Sequence, residues 1–573
     1  MPRSDPASRL PARFGVHEMK TRQAPLPPTS LKRRLASTGS LAIAITILTW
    51  FPSPIPGRTS PARIPGTVAR AISIRSAWLS AKAPAGSLTA SAGRVRVQRD
   101  VTLRPLSMCA PIRFTAMAIT WNQQGSGGGV SARIRVGQDL GHWGGVLGAE
   151  ALDEGPDGDS VDARSGRTGT DLIWVGTAEC SRIELALPAN AEISEMRAVY
   201  LNTEGTAHGG VPPREPASSG SGWGGLLRAS SAEALTRSPG IITRAKWGAD
   251  ERLRNCGPFY SARVKMAFVH HTANSNSYSR SQSPGLVRAI YWYHTRGLGW
   301  CDIAYNFLID KYGRIFEGRY GGMTLPVLPG ATKGFNTNSV AVSAIGNFQV
   351  ARPPAALIRA FERLLAWRLD VAHVDPTAKT WMMSRGSTGN KYPPGKWVRF
   401  RTIAGHRNAG YTSCPGKYLY PKLPTIRAVV YETGLPKIFN AKQSRSKFII
   451  GRRSVTWDAT ASAKMKWNLQ VIDADNNVVI DWNRSGSTFS LTWDGYTREG
   501  EPAPPGIYRV VLKAWNSSGR ARSARFTLTI LPVPPCPSPT PSESPSPSPS
   551  ESPSPSPSPC PSPSSSPSPS GSP

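Results

Sequence analysis

The chain has 573 residues, too many for a single hydrophobic core and enough for roughly three or four domains. Its formal charge of +33 admits an anionic polymer, a membrane surface or nucleic acid as partner. Residues 1–110, however, hold seventeen Lys/Arg against three Asp/Glu. Nucleic acid is set aside, because no nucleic-acid module and no basic helix with interleaved aromatics occurs.

Residues 1–110 read as a basic N-terminal region. Within it, residues 32–51 resemble a signal peptide: Lys32-Arg33-Arg34 precede the apolar run LAIAITILTWF at 41–51, which FPSPIPG then ends. The run is too short to cross a bilayer and suits a signal core, so export is expected, with no transmembrane segment in the mature protein. The plainer reading is a disordered basic arm. Residues 111–205 carry β-rich runs (AMAITW, VSARIRV, DLIWVG, RIELALP) between Gly/Asp/Asn turns, which predicts a small antiparallel sandwich. The acidic stretch LDEGPDGDS at 152–160 lacks a full calcium-loop pattern and reads as a solvated loop. Residues 206–240 read as linker.

Residues 241–435 hold the chemistry. VKMAFVHHT (264–272) is an apolar strand ending in two histidines, and Ser283-Pro284 offers an N-cap and a first-turn proline to a helix. DIAYNFLID and RIFEGR read as strands around a Lys-Tyr-Gly turn, and SVAVSAIGNF as a buried strand. ALIRAFERLLAWRLD (356–370) is an amphipathic helix with Leu357, Phe361, Leu364, Leu365 and Leu369 on one side. The order predicts an α/β fold, a mixed sheet with packed helices. AGHRNAGYTSCPG (404–416) reads as a Gly-rich loop outside any strand or helix.

Residues 440–530 form another β-rich segment of five or more strands, predicting an immunoglobulin-like sandwich. Its WDG turn and GIYRVVLKAW strand resemble the Ig-like repeats of flagellar hook-capping and secreted bacterial proteins. Trp467, Trp482, Trp493 and Trp515 read first as packing residues and second as sugar contacts. Residues 531–573 are Pro/Ser-rich, a disordered extended tail. The overall expectation is therefore an α/β unit flanked by two all-β sandwich-like domains and disordered termini. Of seven cysteines, Cys256 and Cys301 flank one apolar segment and make a candidate disulfide, while the odd total leaves Cys414 as the candidate free thiol.

His270 or His271 at a strand end, with His406 and Cys414 far downstream, offers imidazole and thiolate donors of the kind zinc takes. Three such ligands leave a position open for chemistry. The alternative is a core histidine and a buried small thiol.

FVHHTA, GWCDIAYNFLIDKYGRIFEGR, FNTNSVAVSAIGNF and AGHRNAGYTSCPG together resemble the peptidoglycan recognition proteins of the type-2 N-acetylmuramoyl-L-alanine amidase family over about 190 residues. The weaker segment at 111–205 resembles the unit that precedes the amidase in secreted actinobacterial members. The resemblance implies Zn2+ held by His270, His406 and Cys414, with Tyr305 and Thr412 assisting the reaction. It implies hydrolysis of the bond between N-acetylmuramic acid and L-alanine, by a monomer that is secreted or bound to the cell wall and has peptidoglycan as partner. The alternative is a non-catalytic peptidoglycan-binding surface protein; the retained cysteine ligand favours the enzyme. Arg319 is expected near the stem-peptide groove, and His271 beside the site rather than in it.

Overall fold

The computed structural model describes residues 67–91, 93–124, 129–204 and 236–533, all within one compact unit spanning 63–573. The signal-like segment 32–51, most of the expected linker 206–240, Cys536, Cys560 and the tail beyond 533 lie outside the described residues. Among the described residues, no helix is long and apolar enough to cross a membrane.

The first sheet begins at Val68, earlier than the expected 111, and its strands pair antiparallel throughout. Val68–Ser73 pairs with Glu192–Asn202, and Leu88–Ser91 with Arg94–Val97. The early strands are mostly exposed and Arg-rich, which hid them in the basic region. Arg94-Val95-Arg96-Val97 nevertheless alternates in period two, and Val95 and Val97 are buried. Cys109 and Cys180 face each other across the long strands Leu106–Gln124 and Ile173–Leu187 and are disulfide-bonded.

The middle region has a six-stranded mixed sheet. Its order is Ile241–Ile242, Ile315–Glu317, Phe307–Ile309, Ser339–Ala344, Met266–His271, Ile403–Gly405. Ser339–Ala344 and Met266–His271 are buried at every position, as central strands covered on both faces must be. Ala267, Val269, Val340 and Val342 pack against the Ala355–Val371 helix, whose Leu357, Phe361, Leu364, Leu365 and Leu369 are buried as its spacing predicts. On the opposite face, Leu308 and Ala341 pack against the Ser283–Trp292 helix. That helix starts at Ser283, with Pro284 in its first turn and no side-chain cap. The Cys256–Cys301 disulfide is formed.

The same core continues into the first sheet. Ala116, Ala118, Trp174, Val199 and Leu201 pack in one cluster with Leu286, Ile290, Tyr293 and Trp300. Polar contacts reinforce the seam: Tyr293 Oη donates to Thr170 O at 2.6 Å, and Arg288 Nη2 to Thr203 O at 2.9 Å. The two regions therefore share a dry interior. The C-terminal sheet has seven strands, built on the long antiparallel pair Val455–Ile472 and Val478–Trp493. Trp467 and Trp493 lie in its core, which removes them as sugar contacts, whereas Trp482 and Trp515 are half-buried.

A core shared across the seam predicts shared cooperativity. Leu201→Ala should destabilise the chain by about 2–5 kcal/mol. Calorimetry should show the first sheet and the mixed sheet still melting in one transition at a lower midpoint, not in two separated ones.

Candidate functional site

Strand register assembles the site. Met266–His271 runs parallel to Ile403–Gly405, with Val269 opposite Gly405. The residues that follow in each strand, His270 and His406, thereby reach the same carboxyl end of the sheet, where open α/β sheets place their ligands. Their ring centroids are 4.7 Å apart. The 404–416 stretch is thus not wholly loop: its first two residues complete a buried strand, and His406 opens a short 3-10 turn. Cys414 returns on the following loop. Gly416 holds that loop against the Phe348 backbone at φ 94°, where a Cβ would come within 2.3 Å of the Phe348 carbonyl carbon.

The donor atoms of His270, His406 and Cys414 lie within 4.8 Å of one another, and all three residues are buried. His270 Nε2 is 3.1 Å from Thr332 Oγ1, and His270 Nδ1 is 3.8 Å from Cys414 Sγ. A proton on Nε2, given to Thr332, leaves the Nδ1 lone pair facing the thiol. His406 Nδ1 is buried without a hydrogen-bond partner. A buried polar atom left unpaired is costly, and an ion bound among the three donors would satisfy it. Burial holds both histidines below their ordinary pKa, His270 far below, so both imidazoles are neutral and ready to donate lone pairs. Burial pushes the Cys414 thiol well up, with nearby Asp153 adding to it. Binding a cation therefore has to displace the thiol proton. His271 points elsewhere: its Nδ1 accepts from Phe348 N at 3.1 Å, and its backbone N–H points at Cys414 Sγ, 3.4 Å away.

Tyr305 is buried two residues before the Phe307–Ile309 strand, with its ring centroid 5.6 Å from that of His270. It is not itself in the strand, but its carbonyl accepts Arg319 N at 2.8 Å, which fixes the backbone. Thr412 is half-buried and its Oγ1 accepts Cys414 N at 2.9 Å, so it braces the cysteine loop. Glu317 Oε2 accepts Arg244 N at 3.0 Å. Arg319 does not face an open groove. It is buried, donates to the carbonyls of Ile303 and Leu328, and pairs with Asp162 at 2.7 Å.

Asp162 lies two residues beyond the acidic stretch 152–160 expected to be solvated. The structure instead inserts that stretch between the first sheet and the mixed sheet. Asp157 is buried, its Oδ1 accepting Gly334 N and Asn336 Nδ2, each at 2.7 Å. Asp159 pairs with Arg385. Two residues of the stretch reach the cluster and the tyrosine beside it. Asp153 Oδ1 lies 3.7 Å from His406 Nδ1, and buried Glu154 accepts the Tyr305 hydroxyl. Lys333 points Nζ at Leu152 O, 3.5 Å away. Composition alone could not find these residues, because their partners lie more than 130 positions downstream. The density of carboxylates in LDEGPDGDS was the only available signal.

Residues 260–417 match the family described as N-acetylmuramoyl-L-alanine amidase, and residues 70–207 match "Rv3811 N-terminal galactose-binding domain-like". The chain is 31% identical over 180 residues to peptidoglycan recognition protein 1 of Bos taurus, covering 31% of this chain and 80% of that protein. It is 28% identical over 185 residues to peptidoglycan-recognition protein SC2 of Drosophila melanogaster, covering 32% of this chain and 85% of that one. Among solved structures, human PGRP-IBETAC in complex with glycosamyl muramyl pentapeptide aligns with TM-score 0.26 and 25% identity, over 33% of this chain and 96% of that chain.

The seating of the acidic stretch gives a pH test. Burial pushes the Asp157 carboxyl up to about 6 from an ordinary 3.8. The folded chain then keeps a proton that the unfolded chain releases between about pH 4 and 6. Stability therefore falls as pH rises through that window, by up to roughly 3 kcal/mol from this group. Asp157→Asn keeps the Oδ1 acceptor and removes the titration. Unfolding midpoints of the variant should lose this component between pH 4 and 6, and the gap between variant and wild type should widen towards pH 6.

Proposed function

The chain belongs to the peptidoglycan recognition protein family, and on that premise we propose that it is a zinc-dependent N-acetylmuramoyl-L-alanine amidase acting on peptidoglycan. It hydrolyses the amide between the lactyl group of N-acetylmuramic acid and the L-alanine of the stem peptide. The observation that carries this reading is the buried His270–His406–Cys414 cluster inside the amidase-matching region. Two imidazoles and one thiolate suit zinc, and three protein ligands leave room for a substrate oxygen or water.

His270, His406 and Cys414 would hold the ion. When bound, zinc supplies Lewis acidity towards the scissile carbonyl and the attacking water. The protein's own groups do the rest. Thr332 fixes the tautomer of His270 by taking its Nε2 proton in a hydrogen bond. Tyr305 orients the attacking water at the rim of the cluster, its own proton being given to Glu154 in a hydrogen bond. Thr412 braces the Cys414 loop through its oxygen, and its hydroxyl proton remains free to face the leaving amine. Burial, then the nearby Glu154 to which Tyr305 donates, hold its phenol well above its ordinary pKa, so it acts in its neutral form.

The flanking regions fit a secreted protein of actinobacterial type. The 41–51 run serves export, residues 440–530 form an Ig-like module, and the Pro/Ser tail spans wall material. Residues 111–205, extended upstream to Val68, form the unit preceding the amidase, and 241–435 form the amidase domain.

Two variants separate ion binding from chemistry. In the full chain, Cys414→Ser should lose zinc and activity, because a neutral hydroxyl replaces thiolate poorly. Tyr305→Phe should keep zinc and lower turnover by about 10²- to 10³-fold. Metal analysis and mass spectrometry of peptidoglycan digests check both. The wild-type products should be stem peptides with a free L-alanine amino terminus and intact glycan strands. Shortened glycans or cut cross-bridges as the main products would overturn the assignment.

A further inference from the structure

The first sheet delivers a carboxylate to the heart of the amidase. Glu154 is buried, its Oε2 accepts the Tyr305 hydroxyl, and its Oε1 lies 3.7 Å from His294 Nε2. His294 is itself fixed. Its Nδ1 accepts Ala304 N at 3.1 Å, and its ring packs on Trp300 with centroids 4.7 Å apart. Glu154 is therefore wedged between an immobile imidazole and the phenol beside the metal cluster.

Its backbone has no freedom to leave. On one side, Leu152 N donates to Gly169 O at 2.9 Å, tying the segment to the first sheet. On the other, Asp157 and Asp162 are bonded into the amidase region at Gly334, Asn336, Cys301 and Arg319. The shared apolar cluster lies beneath, with Leu152, Leu172 and Trp174 in it. A latch that swings away would have to break all of these contacts. A fixed wall of the site needs none of them broken.

We propose that Glu154 is a positioning residue of the amidase, supplied by the N-terminal β-rich unit and acting through Tyr305. The carboxylate takes the phenol proton in a hydrogen bond. The hydroxyl of Tyr305 is then oriented with its lone pairs towards the reacting centre, as an acceptor for the attacking water. Without Glu154 the phenol proton rotates freely and competes for the same water. The N-terminal unit is in this sense part of the catalytic site and not an appended binding module. The inference rests on the amidase reading above, but the contact itself can be tested without activity.

The test uses the full chain as Glu154→Ala, Glu154→Gln, Tyr305→Phe and the Glu154→Ala/Tyr305→Phe double variant. Zinc content and unfolding midpoint are measured beside kcat and KM for stem-peptide release. Glu154→Ala should keep zinc and lower kcat by about 10²-fold with KM little changed, the size expected from a misplaced reacting group. Glu154→Gln retains a neutral acceptor and should recover most of that loss. The double variant should be no slower than Tyr305→Phe alone, because both changes remove one device. Effects that multiply in the double variant, or an unchanged kcat in Glu154→Ala, overturn the proposal. Labelling with [13Cζ]tyrosine gives an arm independent of catalysis. The resonance that Tyr305→Phe deletes should shift in Glu154→Gln and in Glu154→Ala, and an unshifted resonance overturns the contact. If wild type released no stem peptides, the amidase reading would fail while the resonance still decided whether Glu154 holds Tyr305. If Glu154→Ala did not fold, Glu154→Gln and its resonance carry the test.

Discussion

The site depends on one pairing: the parallel alignment of Met266–His271 with Ile403–Gly405. Side chains on a strand alternate between faces, so the register decides which histidine meets which. Ala267 and Val269 pack towards the Ala355–Val371 helix, while Phe268 packs with Phe400 on the other side. His270 follows the face of Phe268, and His271 follows the face of Val269. A slip of one residue would exchange them, putting His271 at the cluster and burying His270 against Phe348. Which histidine joins the cluster is thus a consequence of the same apolar alternation that fills the core.

That face is also the one the first sheet covers. Leu308, Ala341 and Tyr305 belong to the cluster that runs through the Ser283–Trp292 helix into Ala116, Trp174 and Leu201. An apolar seam of this kind fixes relative placement more firmly than a tether could, since opening it would expose aromatic and aliphatic surface to water. Because the seam is rigid, a turn at its edge can carry side chains to a defined position. The 152–162 stretch does this with Glu154, Asp157 and Asp162, each buried and each bonded to a different part of the amidase region.

The sequence revealed what local pattern encodes. The helix at 355–371, the central strands at 266–271 and 339–344 and the hairpin-rich C-terminal sheet all follow from period and burial. The three donors stood out because histidine and cysteine are scarce in this chain and the surrounding motifs resemble a known family. Long-range pairing was hidden. Ile403–Gly405 is three residues long, too short to show a period, and is a strand only because Met266–His271 lies beside it. Val68–Ser73 is short, largely exposed and set in the basic N-terminal region, which masks it. The acidic stretch misled in the most instructive way. Carboxylates are usually solvated, and here the burial cost of Glu154 and Asp157 is offset by bonds to groups 151 to 179 positions away, which no local reading can anticipate. The seating of Arg319 is hidden for the same reason, since its partner Asp162 lies in the distant Val161–Ala163 turn.

These acidic groups also bear on how the cluster would hold a cation. Burial raises the Cys414 thiol, Asp153, Glu154 and Asp171 raise it further, and the His271 backbone N–H opposes them. The thiol is held in the form that is a poor ligand. A positive ion placed among the donors would oppose these influences, because it favours thiolate and is itself favoured by the nearby carboxylates. Asp153 and Glu154 come from the loop that follows the first sheet's Leu147–Ala149 strand, whereas His270, His406 and Cys414 come from the mixed sheet and the loop after it. The attraction of the site for a cation is therefore a property of the assembled pair. It follows from electrostatics alone that metal affinity and the integrity of the seam are linked: whatever loosens the 152–162 stretch removes negative charge from the ion's surroundings, and whatever binds the ion strengthens the seating of that stretch.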